Sequence, residues 1–239
     1  TTSYTPSGGS ATTLTLKVTA GTDVSDVTRG TDAGETLASS AGVDVIKSGA
    51  GADSLAGGSG RDVIEAGAGN DVVTYDTNDW HVFGGTGDDT LIITTGKDGN
   101  NEAVADLTTR AGAQVNGFEV IDLSTTGGQA VKLDEPSVLA LSDTGRVKVV
   151  GTASDELFLY GGWAYSSVDS DASGAIFKVL QKGDAFVSVS DEVQLHITNE
   201  LGGEISIYGP GSDVVTVLGA ASDPDGNANG AMTGDGDDT

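Results

Sequence analysis

Between Gly30 and Ile92 the chain repeats itself every nine residues, and that period restricts its fold more than any other feature. In register the units read SSAGVDVIK (39–47), SGAGADSLA (48–56), GGSGRDVIE (57–65) and AGAGNDVVT (66–74). A degenerate unit, YDTNDWHVF (75–83), follows, and GGTGDDTLI (84–92) then restores the phase. Glycines fall at 42, 51, 60, 69 and 87, and aspartates two residues later at 44, 53, 62, 71 and 89. Apolar residues come two further on, at Ile46, Leu55, Ile64, Val73, Val82 and Leu91. The degenerate unit has lost the Gly and the Asp but keeps its length and its apolar position. A length conserved through a unit without its polar signature is the mark of something that stacks.

One unit has a direct physical reading. Six Gly- and Asp-rich residues make a tight turn that uses the positive φ angles glycine adopts cheaply. Three residues then form a short strand whose middle, apolar side chain points inward. A single unit cannot bury that side chain, whereas stacked units can. With strands about 4.8 Å apart, the apolar residues form two internal ladders. The first unit, GTDAGETLA (30–38), is imperfect and carries Glu35 in place of Asp.

The charge balance narrows the function. With 36 acidic residues against 11 basic ones the net charge is −25, which argues against nucleic-acid binding, since phosphate contacts need clustered Lys and Arg. Carboxylates at a fixed phase of a repeat point instead to cations. The absence of cysteine excludes a disulfide scaffold and a thiolate metal site, so a metal here takes oxygen ligands. No run of about 20 apolar residues is present, and residues 1–20 show neither a basic nor an apolar signal region. The chain ends on GDGDDT (234–239), which resembles the first part of another repeat, so it is expected to be a fragment of a longer protein.

The pattern GGxGxDxUx, with U apolar, resembles that of RTX proteins. GGSGRDVIE and GGTGDDTLI match it fully; SGAGADSLA and AGAGNDVVT lack only the first Gly. The resemblance covers roughly a quarter of the chain and implies an all-β fold, a calcium-bound parallel β-roll (an RTX solenoid) that continues into further β-solenoid or β-sandwich structure. It also implies that two units make one turn, so that Asp53, Asp71 and Asp89 line one side, with Glu35 at its start, and Asp44 and Asp62 the other. Several Ca²⁺ ions would sit between stacked turns. Paired aspartates and the loops marked by Gly42, Gly49, Gly51, Gly58, Gly60, Gly67, Gly69, Gly85 and Gly87 would hold them through oxygen atoms, the donor set calcium requires. Trp80 stands at the Asp position of the degenerate unit, so the second side either loses a site or improvises one with Asn78 or Asp79. Without Ca²⁺ the stacked aspartates repel and the block stays disordered.

Four segments organise the chain. Residues 1–28 hold a strand at TLTLKVT (13–19) that caps or leads into the repeat; 29–94 form the roll; 95–208 form a β-rich domain; 209–239 hold a stray repeat, YGPGSDVVT (208–216) with Asp213 as a further metal candidate, and an acidic end. Residues 102–110 form a short helix, and Asp98, Asn100 and Glu102 belong to a solvated loop. Strands are expected at 118–123, 130–133, 146–151, 156–161, 175–180, 185–189, 192–198 and 204–208, with a short helix opened by Pro136 over 136–142. FEVIDLS, LALSD (139–143) and VVGTASDELFL (149–159) are similar to segments of giant secreted RTX adhesins and of RTX-type S-layer proteins. DSDASGAI (169–176) and DPDGNANG (223–230) begin like EF-hand loops but lack the closing Glu, and are read as flexible linkers.

No catalytic constellation is legible. His81 and His196 belong to no ligand motif and read as structural; neither a nucleophile elbow nor a Walker loop is present. The chain is therefore expected to be no enzyme but a calcium-dependent structural or adhesive module of a secreted bacterial cell-surface protein, exported by type I secretion, folding as it meets extracellular Ca²⁺. Its partners are calcium ions and either copies of itself or a cell-surface ligand. Two other readings are an S-layer protein that assembles into a lattice and the C-terminal calcium domain of a secreted enzyme.

Overall fold

The computed structural model describes residues 14–20, 23–94, 105–125, 127–198, 204–207 and 216–218. The chain divides into two compact units between Leu91 and Ile92. Among the described residues no helix is long and apolar enough to cross a membrane.

In the first unit the nine-residue period becomes two parallel sheets. One contains Val45–Ala50, Val63–Ala68 and His81–Thr86; the other contains Thr36–Ala38, Ser54–Ala56, Val72–Tyr75 and Thr90–Ile93. Val45 pairs with Val63 and Val63 with His81, while Leu37 pairs with Leu55 and Leu55 with Val73. Each partner lies two nonapeptides away, so two units make one coil, as the resemblance implies. Ahead of the first full coil, Asp23–Arg29 joins Val45–Ala50 in parallel, and Leu14–Ala20 pairs antiparallel with Asp23–Arg29 to end the sheet.

The expected ladders form. Ile46, Ile64 and Val82 stack under one sheet, and Leu37, Leu55, Val73 and Leu91 under the other, none more than 2% exposed. Each contributes about 1.5–3 kcal/mol by leaving water, which is what holds strands of three to six residues in place. Ile64 is gripped from both sides by Ile46 and Val82. Ile64→Ala should therefore cost about 2–5 kcal/mol, read as lost thermal stability with Ca²⁺ present. Val43→Ala, at a residue 50% exposed, should stay within about 0.5 kcal/mol.

The second unit coils as well, without a constant period. Val120–Asp122, Arg146–Val150 and Ala185–Ser190 pair in parallel, and so do Ala105–Asp106, Ala130–Asp134, Glu156–Tyr160 and Gln194–Thr198. Two insertions lengthen the coils. The helix Glu135–Leu141 follows Asp134, whose carboxylate accepts the Ser137 N–H while the Ser137 hydroxyl oxygen accepts the Asp134 N–H, with Pro136 in the first turn. The hairpin Ala164–Ser170 with Ile176–Lys182 packs antiparallel against Ala185–Ser190. Glu204–Ile207 and Thr216–Leu218 then add antiparallel strands.

Two expectations need correction here. The helix expected over 102–110 does not form in its described part: Ala105–Asp106 is a strand against Val131–Lys132, and Asp106 accepts the N–H and hydroxyl of Thr108 to turn the chain. Burial of Ala105 and Leu107 in the sheet core overrides a weak helical preference. The acidic stretch 169–176 is no linker but the tip of the hairpin. There Asp171 Oδ1 accepts the N–H groups of Ser173 and Ala175 and the Ser173 hydroxyl. Those donors, the Ser173 hydroxyl foremost, hold its carboxyl down to about 2.

Candidate metal centre

Each aspartate of the repeat follows a glycine of positive φ, among them Gly51 (107°), Gly69 (130°) and Gly87 (138°), and is turned into the stack. Asp44, Asp53, Asp62, Asp71 and Asp89 are all at most 2% exposed. Their first oxygen has one job. Asp53 Oδ1 accepts the Glu35 N–H at 2.7 Å, Asp71 Oδ1 the Asp53 N–H at 2.8 Å, and Asp89 Oδ1 the Asp71 N–H at 2.8 Å. On the other side Asp62 Oδ1 accepts the Asp44 N–H at 2.9 Å. Each carboxylate thus satisfies a backbone donor of the preceding coil, eighteen residues back. The second oxygens of Asp53, Asp62 and Asp71 are buried and have no hydrogen-bond donor. A buried anionic oxygen without a donor is costly unless a cation attends it.

The glycine loops supply the complementary feature. A Cβ at Gly60 would fall on the Gly42 carbonyl oxygen; the same relation joins Gly67 to Gly49, Gly69 to Gly51, Gly85 to Gly67 and Gly87 to Gly69. Carbonyl oxygens therefore stand in rows, each directed at the coil that follows. Among the described residues no three His, Cys, Asp or Glu side chains gather into a group that could hold a metal alone. The donor set is stacked carboxylate pairs plus carbonyl rows, oxygen only and high in number, which fits Ca²⁺ and not a metal that prefers nitrogen or sulfur.

Electrostatics agree with that fit. Burial pushes the Asp62 and Asp71 carboxyls above the usual carboxylate range; the N–H groups of Asp44 and Asp53 pull them back, and the charges of the Asp44 and Asp53 carboxylates raise them again. Glu35 differs. Its carboxylate folds back onto the Thr31 N–H and hydroxyl in its own loop, both at 2.8 Å, so the row on that side begins at Asp53.

In the degenerate unit one of the two residues expected to improvise a site, Asp79, turns inward and the other, Asn78, does not. Trp80, at the aspartate register, is 49% exposed and lies under the Arg61 guanidinium, 5.4 Å from it. Asp79 turns inward in its place, 3% exposed. The strand register is kept, with His81 paired to Val63, and just ahead of the strand the Trp80 and His81 N–H groups share the Asp62 carbonyl. Asp79 accepts the Asp76 N–H at 2.9 Å and the backbone of Asp62 as well. Burial pushes its carboxyl up to about 7. Asn78 stays outside, donating to Asp76.

Sequence reasoning missed one member of this set. Asp155 is fully buried, and its Oδ1 accepts the Gln129 N–H of the preceding coil at 2.8 Å, as the repeat aspartates do. The signal was present: Gly151 stands four residues before it and Leu157 two after, the spacing of Gly58, Asp62 and Ile64. Its Oδ2, however, accepts both the N–H and the hydroxyl of Thr152. Asp155 is satisfied by the protein alone. His196 stacks on Phe158 with centroids 4.4 Å apart and lies 3.5 Å from Glu156, a packed position. Asp213, Asp98 and residues 223–230 lie outside the described residues.

A parallel β-solenoid with interturn carboxylates and carbonyl rows defines a calcium-binding repeat structure. The sequence comparison agrees: the RTX calcium-binding nonapeptide repeat matches in four copies, over residues 29–64, 39–73 and 81–92. The chain is thus an all-β protein carrying RTX repeats, and Ca²⁺ is their cofactor. No curated protein and no solved structure matches it.

Proposed function

We propose that this chain is a calcium-dependent structural or adhesive module of a secreted bacterial cell-surface protein, and no enzyme. Ca²⁺ ions lie between successive coils, held by the pairs Asp53–Asp71, Asp71–Asp89 and Asp44–Asp62 and by carbonyls of the intervening glycine loops. The observation that carries this reading is the divided labour of Asp53, Asp62 and Asp71: one oxygen of each closes the backbone of the neighbouring coil, the other is buried without a donor. Folding and cation binding are then one event. Extracellular modules bind Ca²⁺ at about 10⁻⁴ to 10⁻³ M, so a chain loose inside the cell closes after export.

Asp71 belongs to two pairs, which makes it the sharpest test. Asp71→Asn keeps the shape and the accepting oxygen but removes the charge, and should raise the Ca²⁺ midpoint of folding about tenfold, equivalent to roughly 1.4 kcal/mol. Asp155→Asn should leave that midpoint where it is, because both Asp155 oxygens already have protein donors. Equal shifts for the two variants would refute the assignment. Sizing of the chain with and without Ca²⁺ tests the role: a monomer in both suits a spacer or adhesive element, and calcium-driven sheets would make it a lattice protein.

A further inference from the structure

The family match stops at residue 73 and resumes at 81, so nothing in the repeat pattern assigns a site to the unit between. The structure brings two carboxyl groups together there. Asp62 is fully buried, its Oδ1 is spent on the Asp44 N–H, and its Oδ2 is buried without a donor. The carboxyl group facing it is that of Asp79, itself 3% exposed. Two carboxylates have no proton donor between them, so a face-to-face buried pair requires either a shared proton or a cation. The backbone contact matches the regular sites: Asp79 reaches the backbone of Asp62 as Asp62 reaches that of Asp44.

We infer that Asp62 and Asp79 hold a divalent cation, Ca²⁺ by the chemistry of the donors, in the unit that has lost the repeat signature. The site rests on the calcium reading of the block and extends it. The ligand comes from one residue earlier in the chain than the repeat would place it, so the second side of the roll is continuous where its sequence looks interrupted. Trp80, released from the interior, is left to stack with Arg61 outside.

Calcium stoichiometry of the whole chain, measured on the unmutated protein and on Asp79→Asn, tests this. Asparagine preserves shape and an accepting oxygen; the variant should bind one ion fewer while keeping its β spectrum in Ca²⁺. Asn78→Ala should bind the full number. An Asp79→Asn protein with undiminished stoichiometry, the outcome a shared proton predicts, overturns the inference. Should that variant fail to fold, crystals of the unmutated chain decide. An anomalous-scattering peak between the two carboxyl groups supports the site, and a peak at Asp53–Asp71 with none at Asp62–Asp79 overturns it. A chain that binds no Ca²⁺ at all would instead sink the calcium reading of the whole block.

Discussion

Stripped of Ca²⁺ by a chelator, residues 30–92 are expected to lose their β structure and to regain it cooperatively as Ca²⁺ is returned. The reason lies in the buried carboxylates. Asp62, Asp71 and Asp79 have carboxyls raised by burial, Asp79 to about 7. Stability from a raised carboxyl is present below its unfolded value and is lost as pH rises through the folded one. At neutral pH these groups therefore count against the metal-free fold. A cation between them reverses that sign. A site of about 10⁻⁴ M affinity contributes about 1.4 kcal/mol at millimolar Ca²⁺. One such ion would not switch a domain whose stability is of the order of 5–15 kcal/mol, but a row of them is comparable with the whole. Far-ultraviolet circular dichroism of the full chain gives the readout. Part of the β signal should survive the chelator, since the second unit holds Asp155 satisfied by Thr152 and Gln129. A spectrum indifferent to chelator would end the folding switch.

How much of this was legible depends on whether a residue's role recurs. In the repeat, Asp, Gly and the inward apolar residue each return at one phase; the two ladders followed from counting, and the opposed sides from the resemblance to RTX proteins. In the second unit the strands were legible one by one, because Val131, Leu133, Leu157 and Leu159 are buried and β-prone. Their stacking was not. Ala130 pairs with Glu156, but Glu156 pairs with Gln194, so the helix and the hairpin insert unequal lengths and erase the period. The strand Ala164–Ser170 was invisible for a different reason: every residue is exposed, so no alternation marks it, and only its pairing with Ile176–Lys182 makes it a strand.

The site was legible in kind and misleading in detail. Counting in nines puts Trp80 where a carboxylate belongs, whereas the chain needs a carboxylate at a place in space. The turn ahead of His81 brings Asp79 inward instead. Conversely, Asp155 has the right spacing and the right backbone partner but lacks the vacant oxygen, because Thr152 fills that role. Position in a repeat identifies the acceptor of the neighbouring coil; whether a second oxygen remains for a cation depends on the side chains around it.

Replacing Gly67 by Ala should be among the most damaging single changes in the block, and the cause is distance rather than conformation alone. Gly67 has φ 111°, and holding alanine there costs on the order of 1–3 kcal/mol. The methyl group would also meet the Gly49 carbonyl, whose carbon lies 3.0 Å from the Cβ position. That neighbour is backbone, fixed by its own parallel pairing of Gly49 with Gly67, so no side chain can swing away. Gly67 in turn presents its carbonyl to Gly85, and a shift would run to the next coil. The interturn spacing would open where carbonyl oxygens are needed, so stability and the Ca²⁺ midpoint should suffer together. Gly174 is the control: φ is 86°, and nothing lies within 4 Å of its Cβ position. Gly174→Ala should lose the conformational part only and leave calcium binding unchanged. Thermal unfolding in saturating Ca²⁺, with a Ca²⁺ titration of each variant, separates the two. Equal losses of stability with equal midpoints would mean that close stacking of the glycine loops does not govern the site.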